Sequence, residues 1–284
     1  MSADYSTSAP ITWCPGCGNF GIKTAYEQAV AKLAEDGVPS SDIVMTAGIG
    51  QHAKMFDYVT TSGFYSLHGR SLATAQGIKI ANPELKVVAF VGDGDTLGEG
   101  VAHFVFAAKR NSDITVICHN NGIYALTTGQ RAPTSPVGYK GPSTPHGNVE
   151  EPLNGLVLAL ESGATFVARS YSGKLEQLTD ILVQAVQHEG FAFIDVLQPC
   201  VTFNNTYELY NEITYDLERP RETLDEALDV AREKEKLATG IIYRTTRPAG
   251  ERALLRGRVP AADRPGRDAR RDQVKAVLKG LEVA

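Results

Sequence analysis

The chain has 284 residues, enough for one large domain or two small ones, and its 43% hydrophobic and 21% charged content is that of an ordinary globular protein rather than a disordered or fibrous one. Four cysteines are too few for a secreted disulfide scaffold, the opening MSADYSTSAPITW lacks the basic start and apolar core of a secretory signal, and no apolar run approaches the roughly 18 residues of a membrane span, so a reducing, cytoplasmic setting is expected. The formal charge of −5 conceals an acidic body and a basic end; no aromatic residue is interleaved with the late arginines, so no nucleic-acid partner is expected, and the basic end reads as solvated or packed on a neighbouring subunit.

In chain order, TWCPGCGNFG (12–21) puts Cys14 and Cys17 in a Pro/Gly turn before a helical pattern, FGIKTAYEQAVAKLAEDG. Two neighbouring thiols can close a disulfide, act as a redox pair, hold zinc, or supply half the ligands of an iron–sulfur cluster. A CxxC…CxxC zinc site is excluded, because neither Cys118 nor Cys200 has a second cysteine nearby.

Strand-length apolar runs then recur: DIVMTAGIG, KVVAFVGDGD, DITVICHNN, ATFVARS and FAFIDVLQPC. Short Val- and Ile-rich runs without alternation suit strands buried on both faces of a parallel sheet. Between them lie the amphipathic stretches GRSLATAQGIKIANP, GEGVAHFVFAAKRN and KLEQLTDILVQAVQHEG, several ending at Gly or Asn as helix C-caps do. The alternation predicts a doubly wound α/β fold with a mainly parallel sheet. Residues from Gly122 to about Pro152 read as a long loop, a kind that is usually functional in a compact domain. The body is expected to end near Tyr215. That divides the chain into a cofactor-sized α/β domain (1–215) with a cysteine-rich N-terminal segment, and a helical and basic extension (216–284) in which LDEALDVAREKEKLATG reads as a helix.

The motifs follow the strands, and ligands of an open parallel sheet bind outside the carboxyl ends of its strands. VGDGDTLGEG (91–100) sets Asp93 between two glycines, a plain tight turn or a carboxylate for a hard cation beside a closely approached anion. HNNGIYALTTGQ (119–130) closes the next strand with Asn121, whose amide oxygen would reach the same ion. His68 in LHGR is a proton relay, a carboxylate binder or a hydrogen-bonded structural histidine. Arg70 grips a substrate carboxylate or pairs with an internal acid, Lys54 sits near substrate or on the surface, and Glu99 satisfies a helix N-terminus. Cys118, inside the apolar ITVIC run, reads as a small buried residue.

The GDG…NN pair resembles the thiamine diphosphate motif. With TWCPGCGNFG, GIGQHAKM, LHGR, LTTGQ and PCVTFNNTY it is similar to the β subunit of the 2-oxoacid:ferredoxin oxidoreductases, the pyruvate synthase-like family, from about Thr12 to Tyr215. The resemblance implies a thiamine diphosphate-binding fold. It implies Mg2+ held by Asp93, Asn121 and the carbonyl of Ile123, with Gly94, Asp95 and Thr127 near the diphosphate. It implies a position close to substrate for Lys54, and a catalytic glutamate supplied by an α subunit. The thiols of Cys14, Cys17 and Cys200 match three of the four ligands of a 4Fe-4S cluster; the fourth position falls on Gln51, and the neighbouring His52 is the expected substitute. The implied reaction is oxidative decarboxylation of a 2-oxoacid with coenzyme A to acyl-CoA and CO2, reducing ferredoxin, with a γ/δ or ferredoxin-like chain admitted as a further subunit. Some 2-oxoglutarate-using relatives carry a lysine at the position of Thr128, so pyruvate or another substrate without a second carboxylate is expected. A non-oxidative thiamine-dependent decarboxylase or acetolactate synthase-like subunit, and an assembly subunit with a structural metal, are the alternatives.

Overall fold

The computed structural model describes residues 5–264 together with 266, 271, 272 and 274–276. In chain order the elements are α1 (Asn19–Glu35), β1 (Ile43–Ala47), α2 (Met55–Tyr58), β2 (Ser62–Tyr65), α3 (Ser71–Ala81), β3 (Lys86–Gly92), α4 (Val101–Arg110), β4 (Ile114–Asn120), β5 (Ile123–Tyr124) and β6 (Gln130–Arg131). They continue with α5 (Gly155–Glu161), β7 (Phe166–Tyr171), α6 (Leu175–Gln187), β8 (Ala192–Leu197), α7 (Tyr207–Ile213), β9 (Thr214–Asp216), α8 (Leu224–Ala231), β10 (Leu237–Arg244) and α9 (Gly250–Leu255).

Eight strands form one sheet in the order β2-β1-β3-β4-β8-β7-β10-β9. The six from β2 to β7 are mutually parallel, and β10 runs antiparallel to β7 and parallel to β9. Along β3, Val88 and Phe90 face one core and Val87, Ala89 and Val91 the other, so both faces are sealed, as the unalternating sequence requires. One face is covered by α1 and α6: α1 buries Ile22, Ala25, Tyr26, Ala29, Val30 and Leu33 at helical spacing against Leu178, Ile181, Leu182 and Ala185 of α6. The opposite face is covered by α3, α4, α5 and α8. Helix α4 stops where Asn111 turns left-handed, and α8 starts at a capping box between Thr223 and Glu226. From β1 the chain steps outward to β2 and returns past β1 to β3, which opens a crevice at the carboxyl ends of β1 and β3.

The C-terminal part departs from the sequence reading. LDEALDVAREKEKLATG is helical only over α8; its last residues start β10, because Ala238 and Ile242 complete the apolar face that α8 covers. The expected boundary at 215/216 therefore falls inside β9, and residues up to Arg244 belong to the sheet. The first part of the basic end packs on this chain's own body: Asn111 Nδ2 donates to the Arg247 carbonyl (2.8 Å), Arg247 Nη2 to the carbonyls of Ala108 and Gly163 (both 3.0 Å), and buried Glu251 accepts the Asp113 amide (3.0 Å). Residues 265, 267–270, 273 and 277–284 of that extension lie outside the described residues.

Candidate functional site

Asp93 and Asn121 stand at adjacent strand ends, because β3 and β4 pair in register up to Gly92 and His119. Asp93 is 1% exposed; its carboxylate accepts the Asn121 amide (3.4 Å) and the Thr134 hydroxyl. Burial pushes its pKa up to about 7, against the lowering effect of these hydrogen bonds, and no cation stands beside it among the described residues. Asn121 Nδ2 donates to Gln198 Oε1 (3.0 Å), while its Oδ1 accepts the Ile123 amide (3.1 Å) and keeps a second lone pair free. The turn this closes needs Gly122, at φ +72°. A buried, uncompensated carboxylate next to an amide oxygen fits a hard divalent cation.

One cavity gathers Asp93, Gly94, Asp95, Asn121, Ile123 and Thr127 together with His52 and His68. Gly94 begins a π-helical turn, Gly94–Glu99, that leads into α4, a distortion found mostly at functional sites. Asp95 does not offer itself to an anion. Its Oδ1 accepts the amides of Gly69 (2.8 Å) and Ile49 (3.1 Å), and its Oδ2 lies 3.6 Å from His52 Nε2. Burial alone would raise its pKa, but His52 and the two amides together hold it below the usual carboxylate range. Asp95 thus fastens the loops after β1, β2 and β3 to one another. Gly48 is needed for this approach: a Cβ there would lie 1.9 Å from Asp95 Oδ2.

Of the three expected catalytic residues the structure brings one to this cavity. His68 lines it, with Nε2 2.9 Å from Glu99 Oε2. Glu99, read as a dipole-satisfying acid, also accepts the Tyr124 hydroxyl (3.1 Å) and so links two residues that line the cavity, His68 and Tyr124. Arg70 is exposed and points elsewhere, its Nη1 donating to the Glu99 carbonyl at 2.9 Å. Lys54 is half-buried, lines neither this cavity nor the next, and makes no ion pair among the described residues.

Cys14, Cys17 and Cys200 line an adjoining cavity of about 310 Å3 with Trp13, Gln51, Thr128 and Phe203. The CPGC turn is closed by the Cys17 amide on the Cys14 carbonyl (3.0 Å), and Cys200 and Asn204 exchange backbone hydrogen bonds across a tight loop. All four cysteines are free thiols. Burial pushes Cys17 up to about 11, against the lowering effect of a hydrogen bond from the Asn19 backbone and with smaller upward contributions from Cys200 and Cys14. Among the described residues no three His, Cys, Asp or Glu side chains converge on a single ion. Three separate free thiols on one cavity are the donor set that a group of several metal atoms, one thiolate to each, would need.

His52 is not at this cavity. Gln51 and His52 lead into a 3-10 turn, where successive side chains diverge by about 120°. Gln51 therefore faces the thiols, its carbonyl held by Trp13 Nε1 (2.9 Å), while His52 turns toward Asp95. The expected fourth iron ligand is thus displaced to the other cavity.

Three residues of the site escape a reading of the sequence. Thr134 lies inside the long loop expected to be functional, with nothing to name its partner. His119 is buried with Nδ1 2.8 Å from Asn19 Oδ1 and Nε2 without a partner; burial, then the charge of His52, holds its pKa well below the usual histidine value. Gln198 joins the two cavities through Asn121 and, at 3.6 Å, Cys17 Sγ.

Residues 42–196 match the family model of the thiamine pyrophosphate enzyme C-terminal TPP-binding domain, and residues 200–256 match that of the C-terminal region of the pyruvate ferredoxin oxidoreductase β chain. The β subunit of 2-oxoacid:ferredoxin oxidoreductase 1 from Aeropyrum pernix is 46% identical over 241 residues, covering 84% of this chain and 75% of that protein. The equivalent β subunit from Saccharolobus solfataricus is 49% identical over 210 residues, 72% of this chain and 68% of that one. A chain of 2-oxoglutarate:ferredoxin oxidoreductase from Magnetococcus marinus, solved with 2-oxoglutarate, coenzyme A and succinyl-CoA bound, superposes with a TM-score of 0.88 at 35% identity, over 96% of this chain and 94% of that one. With a thiamine-binding sheet, a buried acid–amide pair at its switch point and free thiols beside it, the chain belongs to the β subunits of the 2-oxoacid:ferredoxin oxidoreductases.

Proposed function

We propose that this β subunit, paired with its α subunit, oxidatively decarboxylates a 2-oxoacid with coenzyme A to an acyl-CoA and CO2 and delivers two electrons, singly, to ferredoxin. The observation that carries this reading is the adjacency of the two cavities, which share Gln51, Asn121, Ala125 and Leu126. Thiamine diphosphate, when bound, supplies the electron sink for loss of CO2, and a 4Fe-4S cluster next to it a one-electron outlet.

The chain's own contribution is position and charge. Asp93 and Asn121, with the Ile123 carbonyl, would hold Mg2+ and through it the diphosphate; Gly94 and Thr127 would line the anion's bed. Cys14, Cys17 and Cys200 would hold the cluster. Both carboxylates in the cofactor cavity are engaged, Asp93 by Thr134 and Asn121 and Asp95 by the loops it ties, which supports a catalytic acid supplied by the α subunit. No Lys or Arg lines either cavity among the described residues, so this chain offers no cation to a second carboxylate, which favours pyruvate or another 2-oxoacid without one. A non-oxidative enzyme has no use for three thiols at the cofactor's edge, and an assembly subunit none for an uncompensated buried Asp93. No helix of the described residues is long and apolar enough to cross a membrane. A reducing cytoplasm suits the free thiols.

Co-expression with the α subunit, anaerobic purification and an assay of coenzyme A-dependent ferredoxin reduction test the proposal. Activity is expected only from the complex. Turnover by this chain alone, or decarboxylation without reduction of the acceptor, would refute it.

A further inference from the structure

A cubane of four irons takes four protein ligands, ordinarily thiolates. The cysteine cavity supplies Cys14, Cys17 and Cys200. The remaining cysteine, Cys118, is fully buried on β4 in the core covered by α4 and α5 and cannot turn toward the cavity without unpairing the sheet. His52 faces Asp95 on the other side of its turn. What remains is Gln51, which lines both the cysteine and the cofactor cavities and whose Oε1 is buried without a hydrogen-bond partner. An amide oxygen is a hard, neutral donor and binds iron in a sulfide-bridged cluster weakly.

We propose that Gln51 leaves one iron of the cluster without a thiolate, at the corner nearest the cofactor cavity, and that this iron is labile. The inference rests on the cluster reading above. On removal of one electron by an outer-sphere oxidant such as ferricyanide, which is itself reduced to ferrocyanide, a [4Fe-4S]2+ cluster passes to the 3+ level. It then releases Fe2+ from this corner and leaves [3Fe-4S]+ on the three cysteines. Addition of Fe2+ with one electron from a reductant such as dithionite reverses the change. An iron held by a fourth thiolate resists this loss because its ligand is anionic and soft.

The test uses the αβ complex, purified anaerobically and reconstituted with iron and sulfide, in wild-type form and as Gln51→Cys and Gln51→Ser. Ferricyanide is added, the released Fe2+ is captured by a chromogenic chelator, and EPR spectra are recorded. Wild type and Gln51→Ser are expected to release about one iron per cluster and to develop the EPR signal of an oxidised three-iron cluster, removable by Fe2+ and dithionite. Gln51→Cys is expected to keep its iron and remain EPR-silent under the same oxidant. Equal resistance of wild type and Gln51→Cys overturns the labile corner and leaves the cluster standing. A reconstituted wild-type complex without iron and acid-labile sulfide overturns the cluster reading, and the inference with it.

Discussion

The carboxylate of Asp93, at the end of β3, accepts the backbone amide of Asn121, at the end of β4, across 3.4 Å, and so ties together the two strands that carry the cofactor motif. The acid is buried without a cation among the described residues, which makes it the group most dependent on a bound metal. Asp93→Asn is expected to abolish Mg2+-dependent binding of thiamine diphosphate while leaving the fold intact, because the amide keeps the shape and hydrogen-bonding capacity but not the charge. Calorimetric titration of the complex with the cofactor, with and without Mg2+, checks this; unchanged affinity would remove Asp93 from the shell.

The cysteines separate into two groups by position, three lining one cavity and Cys118 lying in the core. Cys200→Ala is expected to lose most iron and acid-labile sulfide, since it deletes one of only three thiolates at the cavity. Cys118→Ala is expected to retain both and to cost about 1 kcal/mol of stability, the consequence of a small void in the core. Metal analysis and thermal melts of the two variants decide it.

Gly48 packs against Asp95 with no room for a side chain. Gly48→Ala is expected to displace the Asp95 carboxylate, break its bonds to the Gly69 and Ile49 amides and destabilise the chain by roughly 2–4 kcal/mol. Denaturant unfolding measures the loss.

His188 is buried beside Thr165, and desolvation, aided by Arg244, pushes its pKa down to about 4. The unfolded chain therefore binds a proton that the folded chain refuses between about pH 6.5 and pH 4. Stability contributed by the neutral ring is complete above that window and falls as the pH drops through it. The expected loss is about 2 kcal/mol, discounted because the ring borders a solvent-open cleft. His188→Gln should flatten this part of the stability–pH curve; an equally steep curve in the variant would assign the slope to other groups.

Thr128 lines the thiol cavity with φ +80°, an uncommon conformation for a β-branched residue. With no Lys or Arg lining either cavity among the described residues, the wild-type complex is expected to prefer pyruvate over 2-oxoglutarate. Thr128→Lys should move the ratio of kcat/KM values toward 2-oxoglutarate by about tenfold, some 1.4 kcal/mol in the transition state. Steady-state kinetics on both acids settle it, and a wild-type preference for 2-oxoglutarate would show that a second carboxylate finds its partner on the α subunit.

Much of this is legible in the sequence because it is local. Unalternating Val/Ile runs specify strands sealed on both faces, and the helical spacing of Ile22, Ala25, Ala29 and Leu33 specifies a helix on one of them. The Gly-Asp-Gly and Asn-Asn turns directly after two such strands locate the cofactor motif, since a parallel sheet delivers all its strand ends to one edge. The helix expected to run through Gly240 shows where locality fails. Residues 237–244 carry no strand signal of their own strong enough to override the preceding helix, and become β10 because the free edge of β7 and the underside of α8 offer pairing and burial at once. The side on which adjacent residues fall is likewise a tertiary matter. By ligand chemistry alone the imidazole of His52 is a better candidate than the amide of Gln51, and only the 3-10 turn, anchored by Trp13 on one side and Asp95 on the other, sends Gln51 to the thiols and His52 to the cofactor. For the same reason Thr134, His119 and Gln198 have no sequence signal. Their roles are hydrogen bonds to residues between 41 and 181 positions away, and such pairings come into being only when the chain closes.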